Sequence, residues 1–163
     1  MAFKLYSQPK SKPMITYHKG DLLKDDADCL VNTVNTVGIM GKGIALAFKN
    51  AFPHNYLAYR NAFAAKQLAI GKLLVINDVN LILGQKTLIN FPTKTHWRLP
   101  SEYTYIVQGL NALKEFLLEN DIRAIAMPAP GCGNGGLDWE KVKPLIEEKL
   151  GDLSVHIRVY EPL

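Results

Sequence analysis

Two glycine-rich segments of this sequence combine polar side chains with the backbone freedom that a phosphate site needs. The first contains Gly38, Gly41 and Gly43 and opens an amphipathic run, and the second lies at 130–137. A glycine-rich turn at a helix start directs free N–H groups and the positive end of the helix dipole at its ligand, which favours an anion. Two such turns predict a diphosphate held between them.

The first turn matches neither standard phosphate-binding motif. Lys42 is followed by Gly43 rather than by Ser or Thr, and no third glycine completes the dinucleotide fingerprint. Taken alone, this turn is as well explained by a tight loop capped by asparagines as by a ligand site. The second glycine-rich segment is what favours a ligand.

Two more groups of polar residues follow apolar runs. Asp21 is suited to accept a hydrogen bond from an adenine amino group, although an isolated Asp also caps turns. Lys94 comes just before the aromatic and basic cluster of His96, Trp97 and Arg98. Trp97 could stack on an unpaired base with Arg98 on a phosphate, or it could pack against the next helix.

The elements that must position these groups alternate between strands and helices. Apolar runs predict strands at 14–19, 29–32, 73–77, 86–91, 122–128 and 154–160, and helical patterns predict helices at about 43–51, 54–67, 103–118 and 138–150. This order predicts a three-layer α/β domain with a mixed, mostly parallel sheet and a hairpin on one side. The loops that follow parallel strands then share one crevice.

Length and composition indicate one soluble globular domain. The chain has 163 residues, 48% of them hydrophobic and 21% charged. We expect a domain at 14–163, preceded at 1–13 by a tail or an added segment with Met14 as the natural start. No apolar run approaches the roughly 20 residues of a membrane span, and no secretory signal is visible, so the cytoplasm is the expected location.

The net charge and the two cysteines limit which partners and ligands are expected. A net charge of +4 mildly favours a polyanion such as nucleic acid. Cys29 and Cys132 belong to no Cys or His cluster, so we expect reduced thiols and no metal.

Five segments, in this order, resemble the macro domain family and, within it, the DarG branch. They are GDL at 20–22, VNTVN at 31–35, MGKGIALAFK at 40–49, NFPTKTHWR at 90–98 and PGCGNGGLDW at 130–139. Members of that branch are DNA ADP-ribosyl glycohydrolases, the antitoxins of DarT–DarG toxin–antitoxin systems. The resemblance spans 14–160 and implies a three-layer α/β/α fold, a cleft for ADP-ribose and no cofactor.

The resemblance also implies roles for individual residues. Lys94 stands where the branch has its catalytic lysine, with Asn35 as its partner. His96, Trp97 and Arg98 are candidates for DNA contact. The residues implied to contact ADP-ribose are Asp21, Leu22, Asn32, Thr33, Met40, Gly41, Lys42, Gly43, Ile44, Thr93, Pro130, Gly131, Cys132, Gly133, Asn134, Gly135, Gly136 and Leu137.

The sequence departs from two other macro domain branches. Protein-directed hydrolases carry an aspartate in the first glycine-rich loop, and a lysine-dependent branch that acts on glutamate-linked ADP-ribose carries one in the second, where this chain has Gly135. Without either acid, Lys94 could attack the distal ribose as a neutral amine or stabilise the leaving base as a cation. Nearby phosphates favour the cation, because the ordinary lysine pKa is about 10.4.

The expected function is removal of ADP-ribose from modified bases of single-stranded DNA. Two alternatives remain: a reader that binds ADP-ribose and cleaves nothing, and a hydrolase of ADP-ribosylated protein or of O-acyl-ADP-ribose. The expected partners are ADP-ribose, ADP-ribosylated single-stranded DNA and a DarT toxin, with no membrane, and the expected state is a monomer.

Overall fold

The computed structural model describes residues 14–163, so the expected tail at 1–13 lies outside the described residues. Its order of strands and helices is the predicted one. The strands are β1 (Ile15–His18), β2 (Cys29–Asn35), β3 (Leu74–Asn80), β4 (Gly84–Lys94), β5 (Ala124–Pro128) and β6 (His156–Tyr160). The helices are α1 (Gly43–Ala51), α2 (Pro53–Ala64), α3 (Tyr103–Glu119) and α4 (Trp139–Leu150).

The six strands form one sheet in the order β1-β6-β5-β2-β4-β3. Every neighbouring pair is parallel except β3 and β4, which form an antiparallel hairpin at one edge. The predicted mixed, mostly parallel sheet is therefore confirmed. The chain leaves β1, β2, β4, β5 and β6 at the same edge, so the segments after these strands can share a ligand.

Helices cover both faces of the sheet and so complete the three predicted layers. On one face, Val31 of β2 and Ile89 of β4 pack in a cluster with residues of α3 and α4. On the other, Leu30 and Leu88 pack with Phe48 of α1. Strands buried on both faces are apolar at successive positions, which is why the sequence showed them as continuous apolar runs. Within 14–163, no helix is both long enough and apolar enough to cross a bilayer.

Two strands continue further than predicted, into polar residues. β2 extends to Asn35 and β4 to Lys94. Asparagines are uncommon in strands, but here they bond one another: Asn32 Nδ2 donates to Asn90 Oδ1 at 3.2 Å, and Asn90 Nδ2 to Asn55 Oδ1 at 2.8 Å. All three are fully buried, and mutual hydrogen bonding offsets the cost of burying their amides.

Smaller differences lie at two turns. The second helix begins at Pro53, where its fixed φ suits a first helical position, and ends at Ala64 rather than Gln67. Lys66, two residues on, has a φ of 59°, which is incompatible with a continuing right-handed helix. A 3₁₀ turn at Leu22–Lys24 was not predicted. Asp21 caps it by accepting a hydrogen bond from Leu23 N at 3.0 Å.

Gly109 tests the close packing of α3 on the sheet. A Cβ at this position would lie 2.2 Å from the Phe91 ring, so Gly109→Ala should lower the free energy of unfolding by about 1–3 kcal/mol despite the better helix propensity of Ala. Asn111→Ala, on the exposed side of the same helix, is the control and should change it by less than about 0.5 kcal/mol. Urea denaturation measures both, and equal stabilities of the two variants would contradict this packing.

Candidate functional site

A cleft of about 1310 Å³ opens at the sheet edge where the parallel strands end. Its walls come from the segments after β1, β2, β4 and β5 and from the chain after β6. Two of these segments are the glycine-rich ones: loop 1 (residues 36–42) and loop 2 (residues 129–138). They approach each other closely where loop 1 enters α1, since a Cβ on Gly43, the first residue of that helix, would lie 3.1 Å from Asn134 Nδ2. The sequence prediction that the two loops face each other is thus confirmed.

Asn35 uses its whole side-chain amide to fold loop 1. Its Oδ1 accepts from Val37 N at 3.1 Å, from Ile39 N at 3.3 Å and from the Tyr59 hydroxyl at 2.8 Å. Its Nδ2 donates to Ile39 O at 2.8 Å. Tyr59 is fully buried, and burial raises the pKa of its phenol, so the hydroxyl remains a donor. Asn35 lines the cleft, and its side-chain contacts shape the loop.

Loop 2 is closed by backbone hydrogen bonds. Leu137 N donates to Gly131 O at 2.9 Å, and Gly136 N donates to Gly133 O at 3.2 Å. Gly131 has a φ of 78° and Gly136 of 77°, values that side chains rarely allow. Ser101 N donates to Gly135 O at 3.0 Å and ties the loop to the segment before α3. The loop is therefore a preformed cradle.

Lys94, the last residue of β4, lines the cleft between these loops. Its Nζ donates to Trp97 O at 3.3 Å, and its carbonyl accepts from Thr36 N at 3.0 Å. Among residues 14–163, no carboxylate pairs with this amine. Burial, and next the neighbouring Lys42 cation, lower the pKa of Lys94 below its usual value. The amine therefore loses its proton more readily than an exposed lysine does.

The cluster of His96, Trp97 and Arg98 lies just beyond Lys94. The rings of His96 and Trp97 stack at 5.5 Å with an interplanar angle of 25°, and Arg98 Cζ lies 4.5 Å from the Trp97 ring centre. Trp97 and Arg98 line the cleft, whereas His96 does not. The side chain of Trp97 is 38% exposed and belongs to no buried cluster, so its free surface is available for a ligand.

Most of the predicted site residues lie together in this cleft. They are Asp21, Leu22, Thr33, Asn35, Gly41, Lys42, Gly43, Ile44, Thr93, Lys94, Trp97, Arg98, Gly131, Cys132, Gly133, Asn134, Gly135 and Gly136.

Besides His96, four predicted residues do not line the cleft. Asn32 and Met40 are fully buried, because Asn32 lies inside a strand rather than in a loop and Met40 packs with Val34 and Tyr59. Pro130 is buried, and Leu137 stabilises loop 2 through the hydrogen bond from its backbone N to Gly131 O. These residues maintain the shape of the walls.

Several lining residues at the ends of β5 and β6 were not predicted from the sequence. Pro128 ends β5 and Ala129 follows it, and Tyr160 ends β6 and Glu161 follows it. The Tyr160 hydroxyl donates to Asp25 Oδ2 at 2.7 Å, and burial together with this contact raises the pKa of the phenol to about 12. The rule that loops after parallel strands share one crevice also applies to these residues, because β6 is parallel to its neighbours.

Both cysteines are unpaired thiols. Burial raises the pKa of Cys29 to about 12 and that of Cys132 to about 11. Cys132 lines the cleft, yet its Sγ lies 3.6 Å from Pro130 O as a weak donor. A thiol with a raised pKa carries little thiolate at neutral pH and is a poor nucleophile.

Comparison with known proteins gives one family and several close relatives. Residues 31–146 match the family model described as Macro domain. A DNA ADP-ribosyl glycohydrolase of Mycobacterium tuberculosis is 47% identical over 91% of this chain and 42% of its own length. The chain thus spans less than half the length of that relative.

Two solved structures agree in fold and sequence. The macrodomain of Thermus aquaticus DarG is 47% identical with a TM-score of 0.83, covering 91% of this chain and 98% of that one. Thermosipho africanus DarTG, solved in complex with ADP-ribose, is 35% identical with a TM-score of 0.84, covering 91% of this chain and 42% of that one.

Gly135 tests whether loop 2 is preformed by close contact. A Cβ there would lie 2.4 Å from both Gly131 O and Ser101 Oγ, so Gly135→Ala should lower the free energy of unfolding by about 1–3 kcal/mol. It should also speed hydrogen exchange at Leu137 N, whose bond to Gly131 O closes the loop. Gly133→Ala, with nothing within 4 Å of its Cβ, is the control and should keep the parent values. A Gly135→Ala variant with parent stability and exchange would show that the loop adapts.

Proposed function

This chain belongs to the macro domain family, and from that premise we propose that it removes ADP-ribose from modified bases of single-stranded DNA. As an antitoxin it would act in the cytoplasm, as a monomer, against a DarT-type DNA ADP-ribosyltransferase. The Mycobacterium and Thermus relatives, named for this activity and this system, support the proposal. The fusion relative from Thermosipho africanus, named as transferase and glycohydrolase in one chain, supports the toxin partner.

The main observation in support of the proposal is that Lys94 lines the cleft. Loop 2 and the start of α1 offer backbone N–H groups to a diphosphate, as glycine-rich turns at helix starts do. Asp21 and Leu22, after β1, would hold the adenosine end. Lys94, after β4, would then meet the distal ribose at the opposite end of the cleft.

The sheet order keeps acids away from that end. The only carboxylates among the described lining residues are Asp21 and Glu161, which follow β1 and β6. Strand β6 is three positions from β4, or about 14 Å at a strand spacing of about 4.8 Å. With no acid beside the distal ribose, the reacting group is Lys94.

We infer that Lys94 acts as a neutral nucleophile. Its Nζ attacks C1″ of the distal ribose, a C–N bond forms, and the bond from C1″ to the base breaks. The base leaves with the electron pair and takes up a proton. Water then replaces the lysine at C1″, which releases ADP-ribose and restores the amine. The lowered pKa of Lys94 and its lack of a carboxylate partner favour this role over that of a cation, although bound phosphates oppose it.

Asn35 supports the reaction by holding loop 1 around the ribose. Its amide already bonds three backbone atoms of the loop and the Tyr59 hydroxyl, so its part is to fix the position of the wall. No metal or redox cofactor is required for this chemistry.

Replacing Lys94 tests the assignment. Lys94→Ala should lower kcat on an ADP-ribosylated single-stranded oligonucleotide at least about 100-fold, because the nucleophile is lost, while calorimetry should still show ADP-ribose binding. Lys72→Ala, at an exposed lysine outside the cleft, should keep the parent rate. Hydrolysis by Lys94→Ala at the parent rate would refute the role of this lysine.

The alternatives give different results with the parent protein. A reader binds ADP-ribose and leaves the modified oligonucleotide intact. A protein-directed hydrolase releases ADP-ribose from modified protein faster than from modified DNA. Release from the oligonucleotide with little activity on modified protein supports the proposal.

The pH profile separates the two roles of Lys94. A neutral amine predicts that kcat rises with pH and levels off above the lowered pKa of Lys94. Lys42→Gln removes a charge that lowers this pKa, so the rise should move to higher pH when each profile is scaled to its own maximum. A rate that instead falls as pH rises through this range would identify the cationic role. Borohydride should trap a lysine adduct only in the first case, because the adduct at C1″ forms a reducible imine when the ribose ring opens.

A further inference from the structure

The turn that follows β4 joins the surface of the cleft mouth to the amine of Lys94. Trp97 supplies the carbonyl that accepts from Lys94 Nζ at 3.3 Å, and its ring lies partly exposed at the cleft. The backbone of one residue therefore holds the amine while its side chain faces the incoming ligand. We call residues 95–99 the tryptophan turn.

The side chains of this turn are suited to a nucleic acid base. The stack of His96, Trp97 and Arg98 presents aromatic and guanidinium planes, the two kinds of group on which unpaired bases stack. The turn itself contains no carboxylate, and Lys42 and Lys94 beside it add positive charge. Such a surface complements single-stranded DNA, whose bases are unpaired, better than a duplex, whose bases are paired and stacked on one another.

The two ends of the turn are held differently. At its start, Lys94 O accepts from Thr36 N at 3.0 Å, and Thr95 O accepts from Thr36 Oγ1 at 3.2 Å. Apart from the bond from Lys94 Nζ to Trp97 O, the backbone hydrogen bonds beyond that point are internal to the turn: Arg98 N donates to His96 Nδ1, and Leu99 N donates to His96 O, both at 3.1 Å. The stacked residues can therefore shift without moving the end of β4.

We propose that the tryptophan turn binds the nucleotide next to the modified base and that this contact transfers the Lys94 amine from Trp97 O to the distal ribose. The inference rests on the proposed function and adds a form of regulation to it, in which the bound DNA strand itself positions the reacting lysine. The bond to be released is long at 3.3 Å, so it holds the amine only weakly. Trp97 and Arg98 are thus positioning residues that act through Lys94.

The test compares one modified base in two contexts. The first substrate is a single-stranded oligonucleotide with the ADP-ribosylated base at its centre, and the second is the same ADP-ribosylated base as a mononucleotide. For the parent, kcat should be at least about tenfold higher on the oligonucleotide, which corresponds to about 1.4 kcal/mol, within the range of one base-stacking contact.

Two variants should abolish this difference. Trp97→Ala and Arg98→Ala should lower the ratio of the oligonucleotide kcat to the mononucleotide kcat from at least about tenfold to near one. Trp97→Phe keeps an aromatic plane and should restore most of the difference. Arg123→Ala, at an exposed arginine outside the cleft, is the control for lost charge. Thermal melting and ADP-ribose calorimetry show that each variant is folded and keeps its cleft.

Each other outcome overturns the inference. A Trp97→Ala variant that loses activity equally on both substrates shows that the turn only supports the site. A change in KM with an unchanged kcat shows strand binding without any effect on Lys94. A parent enzyme with equal kcat on both substrates has no strand-dependent step. Inactivity of the parent on both substrates refutes the proposed function as well, which distinguishes the two failures.

Discussion

The parallel pairing of β2 with β4 is the interaction on which the site depends. It sets Asn35 opposite Lys94 at the carboxyl ends of two central strands, after a register shift between Val34 and Asn35. The bond from Thr36 N to Lys94 O continues the pairing into loop 1. A parallel pair directs both chain ends to the same edge, so the loop that would hold the ribose and the lysine that would attack it arise at one place.

Buried asparagines hold this pairing in position. The amides of Asn32 of β2 and Asn55 of α2 both bond that of Asn90 of β4, in a layer where apolar packing alone would allow sliding. One atom of the set, Asn32 Oδ1, has no partner among residues 14–163, although it is buried. Some of the polar residues near the ligand loops therefore stabilise the fold rather than contact a ligand. Their buried amides must be hydrogen-bonded within the protein.

Charge placement across the sheet divides the cleft into two ends. Acidic residues follow the strands at the β1 and β6 side, and lysines lie at the β2 and β4 side. Among residues 14–163, no carboxylate lines the lysine-rich end, and burial first and the Lys42 cation second lower the pKa of Lys94. Both effects favour the amine form, in which a lysine is a nucleophile.

Local sequence determined much of this protein. Continuous apolar runs specified the strands, helical spacing specified α3, and the order of elements led to the mostly parallel sheet, because each of these signals depends on neighbours in the chain. The glycine-rich loops were found from the sequence in the same way, whereas the role of Lys94 was implied by the resemblance to the DarG branch.

Only the tertiary structure decided which polar residues face the cleft. Asn32 and Met40 lie in two of the segments that resemble ligand loops, yet both are buried. Asn32 lies within β2, where successive side chains turn to opposite faces, and Met40 packs with Val34 and Tyr59. Tyr160 and the contact between Lys94 Nζ and Trp97 O depend on the sheet order and on the path of one turn. Such contacts depend on how segments fold against one another, so no local sequence pattern predicts them.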